Sequence, residues 1–201
     1  MTLSTDHPAP RCNWFAQWLG RSIIKVAGWK VAGGVPQSKS MMIIAAPHTS
    51  NWDLFFLLGA AYTFHLQIHF LIKNNLFVPV VGPILSFLGG VPVDRSRSHK
   101  LVANLVTRIS ASDGVSLVIP PAGTRKYTDY WKSGFYRIAL EANIPIVCGY
   151  LDYAKKEAGL GLSFYLSGNM TEDMDRIREF YASKTGRYPA KTSRILLREE
   201  E

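Results

Sequence analysis

Cysteine is nearly absent from this chain: Cys12 and Cys148 are the two among 201 residues, and they lie far apart in sequence. Two such isolated thiols support neither a disulfide framework nor a zinc site, so a reducing, cytoplasmic compartment is expected. The first residues carry Asp6 and two prolines where an export signal needs a basic start and an apolar core, and no signal peptide is read there. Long apolar runs are also missing. The longest uncharged stretch, 74–93, is interrupted by Pro79, Pro83, Pro92 and several glycines, which predicts a packed or membrane-dipping hairpin in place of a spanning helix. Repeats, low-complexity tracts and linker-like stretches are lacking as well, so one domain is expected. Negative charge is in short supply, with 15 acidic against 23 basic residues and a formal net charge of +8. An anionic partner follows, whether nucleic acid, an anionic membrane or a phosphorylated substrate. The cations are dispersed through an apolar chain instead of forming a basic stripe with interleaved aromatics, so no nucleic acid is expected.

What the chain does contain is apolar periodicity. From 13 to 31, Phe15, Leu19, Ile23 and Val26 share one side of a helical wheel and Asn13, Gln17, Arg21 and Lys25 the other, with Trp18 and Trp29 at the margin. Such a helix suits a membrane interface, and it equally suits packing on the domain's own core. Beyond it, strands are read at 41–46, 67–72, 89–95, 115–119 and 144–150, with an edge strand at 160–166. Helices alternate with them at 54–64, around Leu101, Leu105 and Ile109, at 134–142, and from Thr171-Glu172-Asp173 onward, where a cap and an acidic first turn mark the start. The fold class expected is α/β, a single domain with a mixed central β-sheet flanked by helices. Its organisation is read as an amphipathic membrane-associating segment 1–35, a central domain 36–189, and a polar, loose tail 190–201.

Chemistry-bearing residues cluster where these strands end. In Pro47-His48-Thr49-Ser50-Asn51-Trp52-Asp53, a histidine and a carboxylate stand five positions apart between an apolar strand and an apolar helix. Inside a straight helix that spacing would splay the side chains by about 140°. If the helix starts between them, with Ser50 or Asn51 as N-cap, His48 can fold back from the loop onto Asp53. A carboxylate holding one imidazole nitrogen leaves the other as an acceptor, as a general base requires. Alternatively Asp53 merely caps its helix. A second strand end carries Asp94 and Arg95, and a third leads into Pro121-Ala122-Gly123-Thr124-Arg125-Lys126.

Taken together, these residues resemble the PlsC-type glycerolipid acyltransferases, which include the lysophosphatidic acid acyltransferases. The family's H-x-x-x-x-D block is matched by His48 and Asp53. Its second block is matched in order by Lys73, Leu76, Pro79, Gly82, Gly90, Asp94 and Arg95, its P-E-G-T-R block by residues 121–125, and its apolar strand around a proline by Ile144-Pro145-Ile146-Val147. Four blocks in the right order are far more specific than any one of them.

The resemblance implies acyl transfer from an acyl-CoA or acyl carrier protein thioester to the free hydroxyl of a lysolipid, with no further cofactor, no metal and no covalent acyl-enzyme. It makes His48 the general base and Asp53 its orienting carboxylate. Arg95 and Arg125 become the holders of a phosphate or other anionic headgroup, with Gly123 admitting the backbone close to the ligand and Thr124 beside it. Lys73, with Arg97, Lys100 and Lys126, could meet the phosphates of coenzyme A or the acidic face of a carrier protein; each is otherwise a solvated charge. The implied location is peripheral, on the cytoplasmic face of the inner (plasma) membrane, against an anionic surface.

One position departs from the family pattern. Residue 122, glutamate in the family's block, is alanine here. Alanine neither accepts a hydrogen bond nor carries charge. Either the chain is a natural member with another acceptor, such as a non-phosphate lyso-aminolipid, or the alanine is a substitution that traps a slow enzyme. The close match of the surrounding block favours the substitution. A lipid-binding module without turnover is the reading from a different class, with Ala122 as its support and the intact His48/Asp53 pair against it.

Overall fold

The computed structural model describes residues 7–93 and 98–201. Strand β2 (Met41–Ala45) lies at the centre of a seven-stranded sheet, and its alternation splits the core in two. Met42 and Ile44 join one buried cluster, and Met41 and Ile43 join another on the opposite face, besides which Ile24, Trp29, Phe56, Ala60, Leu151 and Ala158 form a third. In sheet order the strands are β1 (Lys30–Gly33), β7 (Glu157–Phe164), β6 (Ile146–Asp152), β2, β5 (Ser116–Ile119), β3 (Ile68–Lys73) and β4 (Gly90–Val93). Strands β6, β2, β5, β3 and β4 run parallel, while β7 is antiparallel to β6 and carries β1 parallel to itself. The sheet is therefore mixed, and the five parallel strands end along one edge. Strand-end motifs distant in sequence meet there.

On the Met42/Ile44 face lie α4 (Ser98–Ser110), α5 (Gly134–Glu141) and α6 (Met170–Tyr181), which contribute Leu105, Ile109, Phe135, Ile138, Met174 and Ile177 to the core. Asn169 caps α6 by accepting from the amide of Glu172. The opposite face is covered by α2 (Trp52–Thr63), whose Ala61, like the adjoining Phe64, packs toward the sheet. Helix α1 (Trp14–Val26) then packs on α2. A Cβ added at Gly20 would lie 2.5 Å from Tyr62 Cβ and 2.8 Å from the Gly59 carbonyl, so only glycine permits this approach.

Three expectations change, and the core-packing alternative for the α1 stripe fails. The α1 line that packs is Gly20 and Ile24, while Phe15, Leu19 and Val26 of the expected stripe, together with Trp14 and Trp18, face outward. Close helix contact is governed by small residues here, which an apolar wheel does not register. Trp29 is not marginal but buried, stacked on Phe56 at 4.2 Å between ring centroids. Strand β7 is internal, because β1, a four-residue strand too short to show alternation, takes the edge; the 1–35 segment thus contributes a strand to the sheet. The C-terminal stretch is docked, not loose. Leu197 is fully buried, the Trp131 amide donates to the Leu196 carbonyl at 2.8 Å, and Arg178 pairs with Glu200 at 2.7 Å. One anchoring leucine outweighs the polar composition around it. Among the described residues no helix is long and apolar enough to cross a membrane; the 74–93 stretch forms a 3₁₀ turn (Asn74–Leu76), the short α3 (Val81–Phe87) and β4.

Candidate active site

The loop 46–51 joins the end of β2 to the start of α2, and Asp53 lies in the first turn of that helix. Asn51 takes the N-cap position but makes no side-chain cap bond. The carboxylate of Asp53 turns back to the loop instead. Its Oδ2 accepts from the amides of Thr49 at 2.8 Å and Ser50 at 2.9 Å and faces His48 Nδ1 at 3.0 Å. Its Oδ1 accepts from the hydroxyl of Tyr153 at 2.8 Å. An ionised carboxylate can hold Nδ1 only as a donor, which leaves Nε2 of His48 as the basic nitrogen. Asp53 is 4% exposed. Burial pushes its pKa up, but the bonds from His48, the Ser50 amide and Tyr153 outweigh it and hold the carboxyl below its ordinary value.

Tyr153 stands just past the end of β6, the strand beside β2. Its ring meets Trp29 edge-on at 4.8 Å and Phe56 at 5.9 Å, and its amide donates to the Thr185 carbonyl at 2.9 Å. Burial, and then the bond to Asp53, raise the Tyr153 pKa, so the phenol stays a proton donor. The segment after α6 closes over this loop: the Tyr188 amide donates to Thr49 Oγ1 at 3.2 Å, and the Arg187 guanidinium lies 5.7 Å from the Trp52 ring. The 185–191 segment and Tyr153 carry no motif signal. The one indirect signal for Tyr153 is its place three residues past the strand read at 144–150.

A cavity of about 1010 Å³ opens at this point, with His48 and Asp53 in its wall. It extends along α2 from Trp52 to Phe64, over the Ile43 and Val118 side of the sheet. Twelve helical residues at ~1.5 Å each make that path ~18 Å long. The inner wall is apolar, and cations gather in the same lining: Lys73 at the end of β3, then Arg125 and Lys126 after β5. Gly123 and Thr124 join them. Gly123 has φ +66°, a left-handed conformation that a side chain would strain, and its amide donates to the Pro120 carbonyl at 2.9 Å to close the turn. Thr124, Arg125 and Lys126 are exposed. Of the site residues expected from the sequence, His48, Asp53, Lys73, Gly123, Thr124 and Arg125 thus line one cavity. Ala122 lies behind His48, on a small second cavity of about 30 Å³ that it shares with Lys184 and Ser193. Asp94, Arg95 and Arg97 lie outside the described residues, as does the side chain of Lys100.

Neither Cys12 nor Cys148 lines the main cavity, and both are buried free thiols. Burial pushes the Cys148 thiol up to about 12, which makes it a poor nucleophile.

Comparison with protein-family models matches residues 30–151 to the family described as Acyltransferase. The chain belongs to that family. The matched residues run from β1 into β6 and include the His48/Asp53 loop and the Gly123 turn of this acyltransferase. Among solved structures, its fold is similar to that of the 1-acyl-sn-glycerophosphate (LPA) acyltransferase PlsC from Thermotoga maritima, with a TM-score of 0.55 and 15% sequence identity over 86% of this chain and 80% of that one. No protein of curated function matches the acyltransferase in sequence.

Proposed function

We propose that the protein is an O-acyltransferase that moves a fatty acyl chain from an acyl-CoA or acyl carrier protein thioester to the free hydroxyl of a lysolipid such as 1-acylglycerol 3-phosphate. The observation that carries this reading is the joining, in one cavity, of an oriented histidine, an apolar channel and a cationic rim. His48 Nε2 takes the hydroxyl proton as the acceptor oxygen attacks the thioester carbonyl. Asp53 stabilises the imidazolium that forms. The tetrahedral intermediate then collapses, the C–S bond breaks, and the thiolate leaves with the proton from His48, so the ester is made without an acyl-enzyme. An extended acyl chain suits the path along α2. Arg125 and Lys73, with Arg95, would hold the headgroup phosphate or the donor's phosphates.

The outward Trp14, Phe15 and Trp18 of α1, with Arg21 and Lys25 on the same helix, support a peripheral position on an anionic membrane, for which the cytoplasmic face is proposed. Alanine at 122 is proposed to stand where the enzyme works best with glutamate. The small cavity beside it, bordered by His48 and Lys184, supports that reading, since a longer acidic side chain there would find a cation.

The test is a single-turnover assay of free thiol release with a lysolipid acceptor, coupled to mass analysis of the acylated product, for the chain as it stands and for Ala122→Glu. The glutamate form is expected to be faster by ~100-fold or more, about 2.7 kcal/mol at 1.36 kcal/mol per tenfold. An equal or lower rate means that alanine is suited to another acceptor, such as a lyso-aminolipid. Absence of acyl transfer from both proteins to any lysolipid would leave only a lipid-binding module.

A further inference from the structure

Exposed apolar residues scattered singly are ordinary, but a contiguous cluster of them marks a contact surface. Among the described residues outside α1, the densest run of them lies in one short stretch. Leu76, Val78, Val80, Val81, Ile84 and Phe87 are all exposed, with Val80 at 76% and Phe87 at 84%. Val80, Ile84 and Phe87 recur at i, i+4 and i+7, so they share one side of α3 and its entry turn. Gly82 is buried on the inner side. From Asn74 to Val93 there is no charged residue, and Lys73 immediately precedes the stretch.

The same stretch borders the cavity: Leu76 and Leu85 line it together with His48, Lys73 and Arg125. The outward apolar strip is thus continuous with the apolar lining that leads to the histidine.

We propose that this strip, residues 76–87, is a second membrane-contact surface that sets the cavity mouth on the bilayer, so that a lipid tail passes from hydrocarbon to the channel along Leu76 and Leu85 without crossing water. The proposal rests on the lysolipid reading of the site. A bilayer is the occupant that fits. The exposed strip offers aliphatic and aromatic groups without charge, whereas a protein interface sets its apolar core within a polar, hydrogen-bonding rim. Lys73, Arg125 and Lys126 stand where anionic headgroups would lie, and the net charge of +8 draws the whole molecule to such a surface. A seven-residue helix, ~10 Å long, can enter the interface but cannot span it. The contact differs from that of α1, which packs on α2 and whose Ile24 joins a buried cluster with Leu151 of β6 and Ala158 of β7.

Flotation with mixed phosphatidylcholine and phosphatidylglycerol vesicles, without substrate, tests it. Val80→Ser combined with Phe87→Ser is expected to weaken vesicle partition by roughly tenfold or more. The thermal midpoint and the turnover of a water-soluble short-chain acceptor should stay unchanged, because both side chains face solvent. Phe87→Trp should bind at least as tightly as the unaltered chain, since tryptophan favours the interface. A serine variant that partitions within about twofold of the parent would overturn the proposal. So would a change in self-association, or in affinity for an acyl carrier protein, with partition unaltered, since the strip would then be a protein interface. Vesicle partition needs no turnover, so failure to acylate any lysolipid would sink the acyltransfer reading and leave this result standing.

Discussion

The two sides of the cavity mouth are built in opposite ways. On the α2 side, Asp53 is buried and receives four donors, from His48, Thr49, Ser50 and Tyr153. Tyr153 is fixed in turn by Trp29 and Phe56. On the β5 side, Thr124, Arg125 and Lys126 are exposed, and their turn is shaped by bonds from backbone amides, that of Gly123 to the Pro120 carbonyl at 2.9 Å and that of Lys126 to Thr124 Oγ1 at 3.2 Å. Proton transfer tolerates little positional error, so its groups belong where packing determines them. Recognition of a solvated anion can use cations that adapt, at little cost in fold stability. Damage to the first side should therefore appear in turnover, and damage to the second in apparent affinity.

The strongest way to break the contrast is Asp53→Asn. The amide keeps the shape but loses the charge that holds Nδ1 as donor, and a fall in kcat of about 10³-fold or more is expected, with KM little altered. A rise in KM without that fall would mean the carboxylate serves binding. Arg125→Ala should do the reverse, raising KM for an anionic acceptor ~10- to 100-fold while kcat at saturation changes little. If kcat falls instead, the guanidinium stabilises the transition state and the contrast is wrong.

Tyr153→Phe sharpens the comparison on its rigid side. As a positioning residue acting through Asp53, it should lower kcat by about 3- to 10-fold and shift the acid limb of the pH–rate profile. The same change in an Asp53→Asn background should add almost nothing, because residues that share one function are non-additive. Full additivity would assign Tyr153 a role apart from the dyad.

A smaller effect lies in stability against pH. The folded carboxyl of Asp53 lies below its ordinary value of 3.8, so its contribution is complete above that value and is lost as pH falls below it. Denaturation of the parent and Asp53→Asn across the acid range should show a stability difference that shrinks below about pH 4. A difference that stays constant with pH would show that the carboxylate's charge does not matter to folding.

Much of this site was legible in the sequence because it is made of contiguous motifs at strand ends. The His48/Asp53 loop needs only a helix start between its members, and the Gly123 turn needs only a residue free to take positive φ. Parallel pairing of β2 with β5 then brings the two motifs together. Tyr153 was not legible, because its bond to Asp53 spans 100 residues and depends on β6 lying next to β2. The 185–191 segment was missed for the same reason. Its contact with Thr49 is made through a backbone amide, which no side-chain pattern reports. Periodicity left α1 open between an interface and the core, because it does not register that glycines at 20 and 59 set the packing and leave the larger apolar side chains outside.

The central claim is that His48 is the base that activates the acceptor. The most direct test is His48→Ala in single turnover with acyl thioester and lysolipid both present, measured as free thiol release alongside donor binding. Proton abstraction by this ring predicts a loss of about 10²- to 10⁴-fold in rate with donor affinity nearly unchanged. Thiol release at the parent's rate from His48→Ala would contradict it.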